Sequence, residues 1–297
     1  LYDLVKKLSP GPLVFELDSG SQALKIKQGK DTYKLPTSDP TWFQELAAFP
    51  QQEGALWSGD FIQDIIDRIA FCISDEDTME AMACLSIKPL TTEEDRSLEC
   101  CGLNGFRFAM YAFRHDGLNE LLPPNGILIQ KKYLMELKKW LPEDDIELAI
   151  DNKRLFFRSV TNSESFSLPL SYYNFPEYKN FLTRIEGEHI SRLEVDRQEL
   201  FGYLDRLSIF ITENNRCTYL SFANGEMVMS AQGQEKGSGT VSLDVTFSGE
   251  LQRIAFPTRD LIEIIGHFES KTVTFTYDKM GNLTGNSTAL AFIKTLD

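Results

Sequence analysis

The chain has 297 residues, of which 42% are hydrophobic and 25% charged, as expected of a globular protein of about two domains. It has no apolar run of about 18 residues that could form a transmembrane helix, and its start lacks the apolar core of a signal peptide. The five cysteines form no CxxC pair, which favours free thiols in a reducing cytoplasm over disulfides or a zinc site. The net charge of −14 argues against a protein coated in nucleic acid but is compatible with a locally basic surface.

The first predicted element is an amphipathic helix at the start of the chain, with leucines at i, i+3 and i+7. The same spacing returns in ILIQKKYLMELKKWLPEDDIELAI (127–150) and IAFPTRDLIEIIGHFESKTVTFTY (254–277), which align without a gap. After the first copy, the strand-like LKIKQGKDTYKLP (24–36) parallels LFFRSVTNSESFSLP (155–169). These matches predict repeated units, each with a short strand, a helix and about three further strands.

A second kind of helix alternates with the first along the chain. The sequence IDRIAFCIS (66–74) matches LDRLSIFIT (204–212), and Ser58 and Asp196 are the predicted N-caps of the two helices concerned. Halves that combine one helix with several strands predict an α+β fold, with sheets on one side and helices on the other. Gene duplication without functional meaning would also explain such a repeat.

The repeat also predicts domain boundaries. We expect residues 1–57 to be the C-terminal half of a first domain, residues 58–184 a second domain and residues 185–297 a third. Leu1 aligns with Leu134, whose domain begins near residue 58, so roughly 75 residues of the first domain are expected to be absent from this sequence.

Turn-rich segments join the halves, and the sequence shows no familiar catalytic motif. HDGLNELLPPNG (115–126) is predicted to be a loop, and AQGQEKGSGT (231–240) a loop or hairpin tip with GSG as its turn. The chain has no GxxxxGK[ST], GxGxxG, HExxH or GxSxG, and its three histidines stand at no motif spacing from a nucleophile or acid. An enzyme that uses unrecognised residues on the repeated domains stays open as a hypothesis.

The helix predicted at 131–141 has one strongly positive face. Its leucines share one side of the helical projection, and its lysines share the opposite side. These lysines are Lys131, Lys132, Lys138 and Lys139. Lys6 takes the position of Lys139 in the first copy. Two interpretations remain open: an ordinary solvated face, or a surface that contacts phosphates without reading bases.

Several motifs resemble the bacterial DNA polymerase III beta subunit, the DNA sliding clamp. The resemblance spans the whole chain and is carried by the repeated halves, GFRFA (105–109), NFPEY (174–178) and the final strand TALAFIKTLD (288–297). NFPEY is close to the family's Phe-Pro-Asp-Tyr, whereas Asn104-Gly105-Phe106-Arg107 stands where the family has Asp-Gly-His-Arg. The resemblance implies repeated sliding-clamp domains, each with two inner helices backed by antiparallel sheets.

The implied function is that of a non-catalytic processivity factor for the replicative polymerase, with no cofactor. Two chains would close head to tail into a homodimeric ring that slides on double-stranded DNA without sequence specificity. Further implied partners are the alpha subunit of DNA polymerase III, the clamp loader and other proteins with a clamp-binding motif. The alternative is a protein-interaction scaffold of the same domains that does not bind DNA.

The resemblance implies two sets of site residues. The cations expected to face DNA are Lys6, Arg68, Lys131, Lys132, Lys138, Lys139, Arg197 and Arg206. A groove for partner peptides, between the second and third domains, would be lined by Met82, Leu103, Gly105, Phe106, Arg107, Phe108, Pro176, Asn180, Phe181, Met280, Asn282 and Ile293. Because Phe108 and Phe181 replace smaller aliphatic residues of the family, we expect a tight aromatic slot for a leucine or phenylalanine anchor.

Overall fold

The computed structural model describes the chain except for residues 19, 44–45, 52–53, 91–95, 152, 162, 185–189, 279–290 and 296–297. The chain divides into two compact units, residues 1–48 and 49–297. No helix among the described residues is long and apolar enough to cross a membrane.

The first unit is a short helix followed by a three-stranded antiparallel sheet in the order β1-β2-β3. Its elements are α1 (Tyr2–Val5), β1 (Val14–Asp18), β2 (Ala23–Gln28) and β3 (Asp31–Pro36). Strands β2 and β3 form a hairpin through Gly29, whose φ of 58° favours glycine. The strands predicted from LKIKQGKDTYKLP are therefore confirmed.

The second unit contains two successive sets of similar elements. The first set consists of β4 (Ala55–Ser58), α2 (Gly59–Ile69), β5 (Cys84–Pro89), β6 (Ser97–Leu103), β7 (Phe108–Arg114), α3 (Asp116–Leu121), β8 (Ile127–Gln130), α4 (Lys131–Trp140), β9 (Asp145–Asp151), β10 (Arg154–Ser159) and β11 (Ser165–Pro169). Short 3-10 turns follow α2 at Ala70–Cys72 and Asp77–Ala83.

The second set has a similar order, although it opens with α5 and has β16 where the first set has α3. It consists of α5 (Lys179–Arg184), β12 (Ile190–Asp196), α6 (Arg197–Leu207), β13 (Cys217–Ala223), β14 (Glu226–Gly233), β15 (Gly237–Asp244), β16 (Thr246–Ser248), β17 (Arg253–Pro257), α7 (Thr258–Gly266), β18 (Thr272–Asp278) and β19 (Ala291–Thr295). A 3-10 turn, Ser208–Phe210, follows α6 as one follows α2.

Four antiparallel sheets arise because the leading strand of each half pairs with the other half. Strand β4 joins the sheet β11-β10-β9-β4, and β8 joins β7-β6-β5-β8. In the second set, β12 lies beside β18 in β16-β12-β18-β19, and β17 completes β15-β14-β13-β17. This exchange locks two halves into one body and confirms the predicted α+β class with antiparallel sheets.

Each set encloses its own hydrophobic core beneath a pair of helices. In the first core, α2 buries Ile62, Ile65, Ile66 and Ile69, and α4 buries Leu134 and Leu137. In the second core, the buried residues of the two helices include Leu200, Leu204, Leu207, Leu261 and Ile265. The helices begin as predicted, since Ser58 Oγ accepts from the N–H of Phe61 and Asp196 Oδ1 accepts from those of Gln198 and Glu199.

The prediction of a loop over 115–126 was wrong, because α3 lies within it. The His115 imidazole Nδ1 accepts from the Leu118 N–H at 3.1 Å and caps the helix. Leu118 and Leu122, one helical turn apart, are both buried in the first core. Gly117 and Asn119 have weak helix propensity and suggested a turn. Burial of the two leucines in the tertiary structure outweighs that weak propensity.

The prediction that GSG (237–239) forms a turn was also wrong. The hairpin was predicted correctly, but its tip is residues 234–236, and Gly237 already pairs with Gly233 as the first residue of β15. Gly239 lies against Phe210, where an added Cβ would approach the ring Cε2 atom to 2.5 Å. This glycine permits close packing of a strand and does not turn the chain.

Candidate nucleic-acid interface and peptide groove

The cations predicted to face DNA lie mainly on the helix pair α2 and α4, whose helices pack against each other over the first core. Lys138 Nζ forms an ion pair with Asp67 Oδ1, which links α4 to α2. Lys139 Nζ lies 2.8 Å from Glu136 Oε1 on the same helix. Lys132 is exposed, with its ammonium 5.3 Å from the centroid of the Tyr133 ring. These three side chains reach solvent on the face opposite the buried leucines, as predicted.

Lys131 has a different environment from the other lysines of α4. Its Nζ donates a hydrogen bond of 2.9 Å to the carbonyl oxygen of Ile73 and lies 2.7 Å from Asp75 Oδ1. The side chain is only 20% exposed. The ammonium therefore holds the end of the turn that follows α2, a structural role that the helical projection did not indicate.

The predicted arginines are also engaged within the protein. Arg68 Nε lies 2.7 Å from Asp64, and its NH2 group lies 2.9 Å from Glu269. The hydrogen bond to Asp64 is the main reason that the pKa of Arg68 is raised. Arg197 Nε donates to the carbonyl of Ser270 at 2.8 Å, whereas the exposed Arg206 donates to the carbonyl of Gly202. In the first unit, Lys6 is exposed and lies over the Tyr2 ring.

The four helices that cover the two cores, α2, α4, α6 and α7, carry little net charge in total. The sequence of α4 has a charge of +3, that of α2 −2, that of α6 zero and that of α7 −1. These charges cancel, so the helices are neutral in a chain of −14. The acidic excess therefore lies on the remaining surface, and a polyanion would meet its weakest repulsion at the helices.

The predicted groove begins at a tight hairpin between β6 and β7. Gly105 and Phe106 form its two-residue turn, and Gly105 has a φ of 86°, which favours glycine. Asn104 Oδ1 accepts from the N–H groups of Phe106 at 3.1 Å and Arg107 at 2.9 Å, which fixes the turn. Phe106 at its tip is 95% exposed. A large apolar side chain held in solvent on a rigid turn is available to contact a ligand.

Tyr178 anchors the NFPEY segment to this hairpin. Its ring stacks on Phe108 with centroids 5.0 Å apart, and its hydroxyl donates to Glu99 Oε2 at 2.6 Å. Tyr178 is buried, and burial raises the pKa of its hydroxyl well above the ordinary value. Sequence reasoning included Phe108 but missed Tyr178 and Glu99. The position of Tyr178 inside NFPEY was the available signal.

A clasp joins the two cores next to the hairpin. Two arginine–glutamate pairs and one aromatic stack form this clasp: Arg107 with Glu263, Arg68 with Glu269, and Phe71 with His267. The stacked rings have centroids 4.0 Å apart and planes within 6° of parallel. The guanidinium of Arg107 also lies over the Phe71 ring. Arg107, which was predicted to line the groove, thus forms a contact between the two sets of elements.

The structure describes only some of the remaining residues that were predicted to line the groove. Leu103 is paired with Phe108 at the base of the hairpin, Met82 and Pro176 are half-buried, and Asn180 is exposed in α5. Ile293 is paired with Phe275 through its backbone in β19. The side chains of Phe181 and Ile293, and the residues Met280 and Asn282, lie outside the described part of the chain. The groove as a whole therefore stays a prediction. Among described residues, no cluster of His, Cys, Asp and Glu could hold a metal ion.

Comparison with known proteins agrees with this architecture. Residues 186–282 match the family described as DNA polymerase III beta subunit, C-terminal domain. The beta sliding clamp of Pseudomonas aeruginosa is 23% identical over 278 residues, a match that covers 93% of this chain and 72% of the relative. That of Escherichia coli (strain K12) is 20% identical over 272 residues, covering 92% and 71%.

Solved structures give the same result for the fold. The DNA polymerase III subunit beta of Pseudomonas aeruginosa superposes with a TM-score of 0.78 at 20% identity, covering 98% of this chain and 76% of that one. The sliding clamp of Bartonella birtlesii, solved with bound griselimycin, gives 0.76 at 23% identity and covers 99% and 78%. The fold is that of the sliding clamps, and the predicted resemblance of this chain to the bacterial DNA polymerase III beta subunit is confirmed.

Proposed function

We propose that this protein is a processivity factor of the bacterial replicative DNA polymerase. Two chains close head to tail into a ring around duplex DNA, with the helices inside and the sheets outside. The main supporting observation is the duplicated architecture, in which one pair of helices covers each core of the second unit and packs over antiparallel sheets. A ring holds DNA by topology, so it needs no base contacts, no catalytic residue and no cofactor.

The same proposal assigns the domains and the partners. Residues 1–57, 58–184 and 185–297 belong to three successive clamp domains of a cytoplasmic protein. The groove beside the hairpin of residues 103–108 binds the polymerase alpha subunit, the clamp loader and other proteins through short extended peptides. Phe106 offers an exposed apolar contact, and the Phe108–Tyr178 stack supports the wall behind it.

DNA contact is tested with a charge-reversal variant of α4. Lys131 is left intact, because its bond to Ile73 makes it part of the fold. Lys132, Lys138 and Lys139 are changed to Glu, and processive synthesis on primed single-stranded DNA is measured with clamp loader and polymerase. We expect a loss of processivity that is largest at low salt, where salt screens the lysine–phosphate attraction least, without dependence on template sequence.

The matched control is a triple reversal at exposed lysines outside the four paired helices: Lys88, Lys153 and Lys179. It changes the net charge by the same amount but leaves the proposed inner surface intact. Equal processivity in both variants would contradict the assignment of α4 to the DNA side.

Peptide binding is tested by titration with a synthetic clamp-binding peptide. We expect Phe106→Ala to weaken binding about tenfold, because truncating an aromatic anchor in an interface commonly has an effect of this size. Ile209→Ala is the control, since Ile209 is an equally apolar, 65% exposed side chain on the turn after α6. Unchanged affinity in Phe106→Ala would place the groove elsewhere.

A scaffold that binds proteins but not DNA is the second candidate. The observation that favours it is the neutrality of the four helices together, since a DNA-binding surface is ordinarily basic. The two functions differ in one measurement: a scaffold retains peptide binding and gives no processivity with any α4 variant or with the parent.

A further inference from the structure

We infer that the carboxylates of α2 and α4 act as built-in counterions that keep the contact with DNA weak, and that Asp67 is the principal one. This inference rests on the proposed function, because it concerns the surface that DNA would meet inside the ring. The role of these acidic residues does not follow from the positions of the lysines alone.

The geometry places an acid beside each of the cations concerned. Asp67 pairs with Lys138 across the two helices, and Glu136 pairs with Lys139 along α4. Asp64 pairs with Arg68 one turn away on α2. Asp67 and Lys138 both reach solvent, with side chains 57% and 36% exposed. A phosphate that approaches Lys138 therefore meets its carboxylate partner at the same place.

The physical consequence follows from how proteins bind nucleic acid. A free lysine that neutralises a phosphate releases a condensed counterion and steepens the logarithmic salt dependence of binding by about 0.9. A lysine already neutralised by its own protein must first give up a carboxylate, which remains nearby and repels the phosphate. Such a lysine adds less to both the affinity and the salt dependence.

Weak contact suits a ring that moves along DNA. Enclosure already prevents dissociation, so tight phosphate contacts would add friction without adding retention. The positive helix α4 attracts the DNA polyanion, and the acids paired with its lysines limit how tightly the DNA is bound. Asp67 has the largest expected influence because it alone, among these acids, holds a lysine of the other helix.

The repeat provides a matched control for Asp67. Asp205 is its counterpart in the sequence LDRLSIFIT and is likewise exposed on α6. The helix packed against α6 is α7, whose sequence TRDLIEIIG contains no lysine. Asp67→Asn and Asp205→Asn thus remove the same charge from equivalent positions, but only the first releases a lysine on a neighbouring helix.

The experiment measures binding of the full chain to a fluorescent random-sequence duplex by anisotropy, between about 50 and about 200 mM salt. We expect Asp67→Asn to bind about threefold to tenfold tighter at the lower salt, and its salt dependence to steepen by about 0.9. Asp205→Asn is expected to change affinity less than twofold and to leave the slope unchanged. Exposed ion pairs contribute little to stability, so both variants should fold, which thermal melting verifies.

Two other outcomes separate the inference from the function on which it rests. Equal shifts in Asp67→Asn and Asp205→Asn, with a clear loss in the α4 triple reversal, would overturn the counterion role and leave the DNA surface in place. No salt-dependent effect in any of these variants, the triple reversal included, would overturn both.

Discussion

The ends of α2 and α6 show how two copies of one sequence solve the same problem with different residues. After each helix a 3-10 turn leads to an isoleucine, Ile73 or Ile211, whose carbonyl accepts a hydrogen bond from a lysine ammonium. The donor is Lys131, from the start of α4, in the first core and Lys236, from the β14–β15 hairpin, in the second. The buried carbonyl needs a donor, and the nearest available element supplies it.

The starts of the same helices differ in a second way. The backbone N–H groups of Gly59 and Arg197 donate to equivalent carbonyls, those of Asp144 and Lys271. The turn between α4 and β9 passes so close to Gly59 that an added Cβ would lie 1.9 Å from the backbone oxygen of Pro142. At Arg197 a long side chain is accommodated and binds Ser270. Equivalent positions in a repeat can therefore tolerate very different residues.

The largest expected effect is a difference between the cores at alkaline pH. Among the first set of elements, burial raises the pKa of Cys72 and of Cys101 from 9.0 to about 12 and that of Cys100 well above 9.0, whereas Cys217 of the second set is only half-buried. Unfolded thiols ionise near pH 9 while these folded thiols keep their protons, so unfolding releases protons and stability falls as pH rises above 9. Each thiol contributes about 1 kcal/mol between pH 9 and pH 10, because the unfolded thiol is still half protonated at pH 9.

Three such thiols predict a loss of about 3 kcal/mol in the first set of elements between pH 9 and pH 10. Hydrogen exchange resolved by segment, between pH 7 and 10, measures the stability of the two cores separately. Substituting Ala for all three cysteines should flatten the dependence in the first core and leave the second unchanged. A first core that keeps its full stability at pH 10 would contradict the prediction.

The next effect is steric and tests the difference between Gly59 and Arg197. Gly59→Ala should destabilise the first core by about 3 kcal/mol, because the obstructing atoms belong to the backbone and cannot rotate away. Arg197→Ala should lower stability by about 1 kcal/mol through the lost bond to Ser270. Urea unfolding of both variants measures the two effects. Equal losses of stability would show that the turn between α4 and β9 moves away from an added Cβ, which would contradict the prediction.

The two capping lysines should show a smaller and nearly equal effect. Lys131→Met and Lys236→Met each leave an isoleucine carbonyl without its charged donor, which should lower stability by about 1 to 2 kcal/mol. Thermal melting checks this expectation. If Lys131→Met instead leaves the melting temperature unchanged and weakens duplex binding, Lys131 is a DNA contact as the sequence suggested.

The smallest effect concerns the N-caps. Asp196 accepts two backbone hydrogen bonds of 2.9 and 3.0 Å, whereas Ser58 accepts one of 3.4 Å. Asp196→Ala should therefore lower stability by about 1 kcal/mol, and Ser58→Ala by about half as much. Urea midpoints in the same buffer measure both, and a larger effect at Ser58 would reverse the expected order.

Much of the fold could be read from the sequence because its signals are local. Apolar spacing located α2, α4, α6 and α7, and the two N-caps form within three residues of the helix starts. The internal repeat predicted the two similar sets of elements in the second unit. The helix in 115–126 was missed because burial of Leu118, a tertiary property, stabilises a segment with weak propensity.

The candidate site was predicted less completely. The projection of α4 correctly placed Lys132, Lys138 and Lys139 at the surface, since side-chain direction follows from helical geometry. It could not separate Lys131 from them, because the partner of Lys131 is Ile73, 58 residues earlier. The acid that neutralises Lys138 lies on another helix, 71 residues away. Which charges remain available to a ligand depends on those distant partners.

The sequence by itself determined the repeat, the positions of the four helices over the cores, the α+β class and the acidic balance, because each depends on neighbouring residues or on composition. Tertiary structure decided the exchange of leading strands, the Tyr178–Glu99 anchor across 79 residues and the clasp between the cores. These contacts join groups that are remote along the chain. They form only when sheet pairing and core packing bring the groups within hydrogen-bond or ion-pair distance.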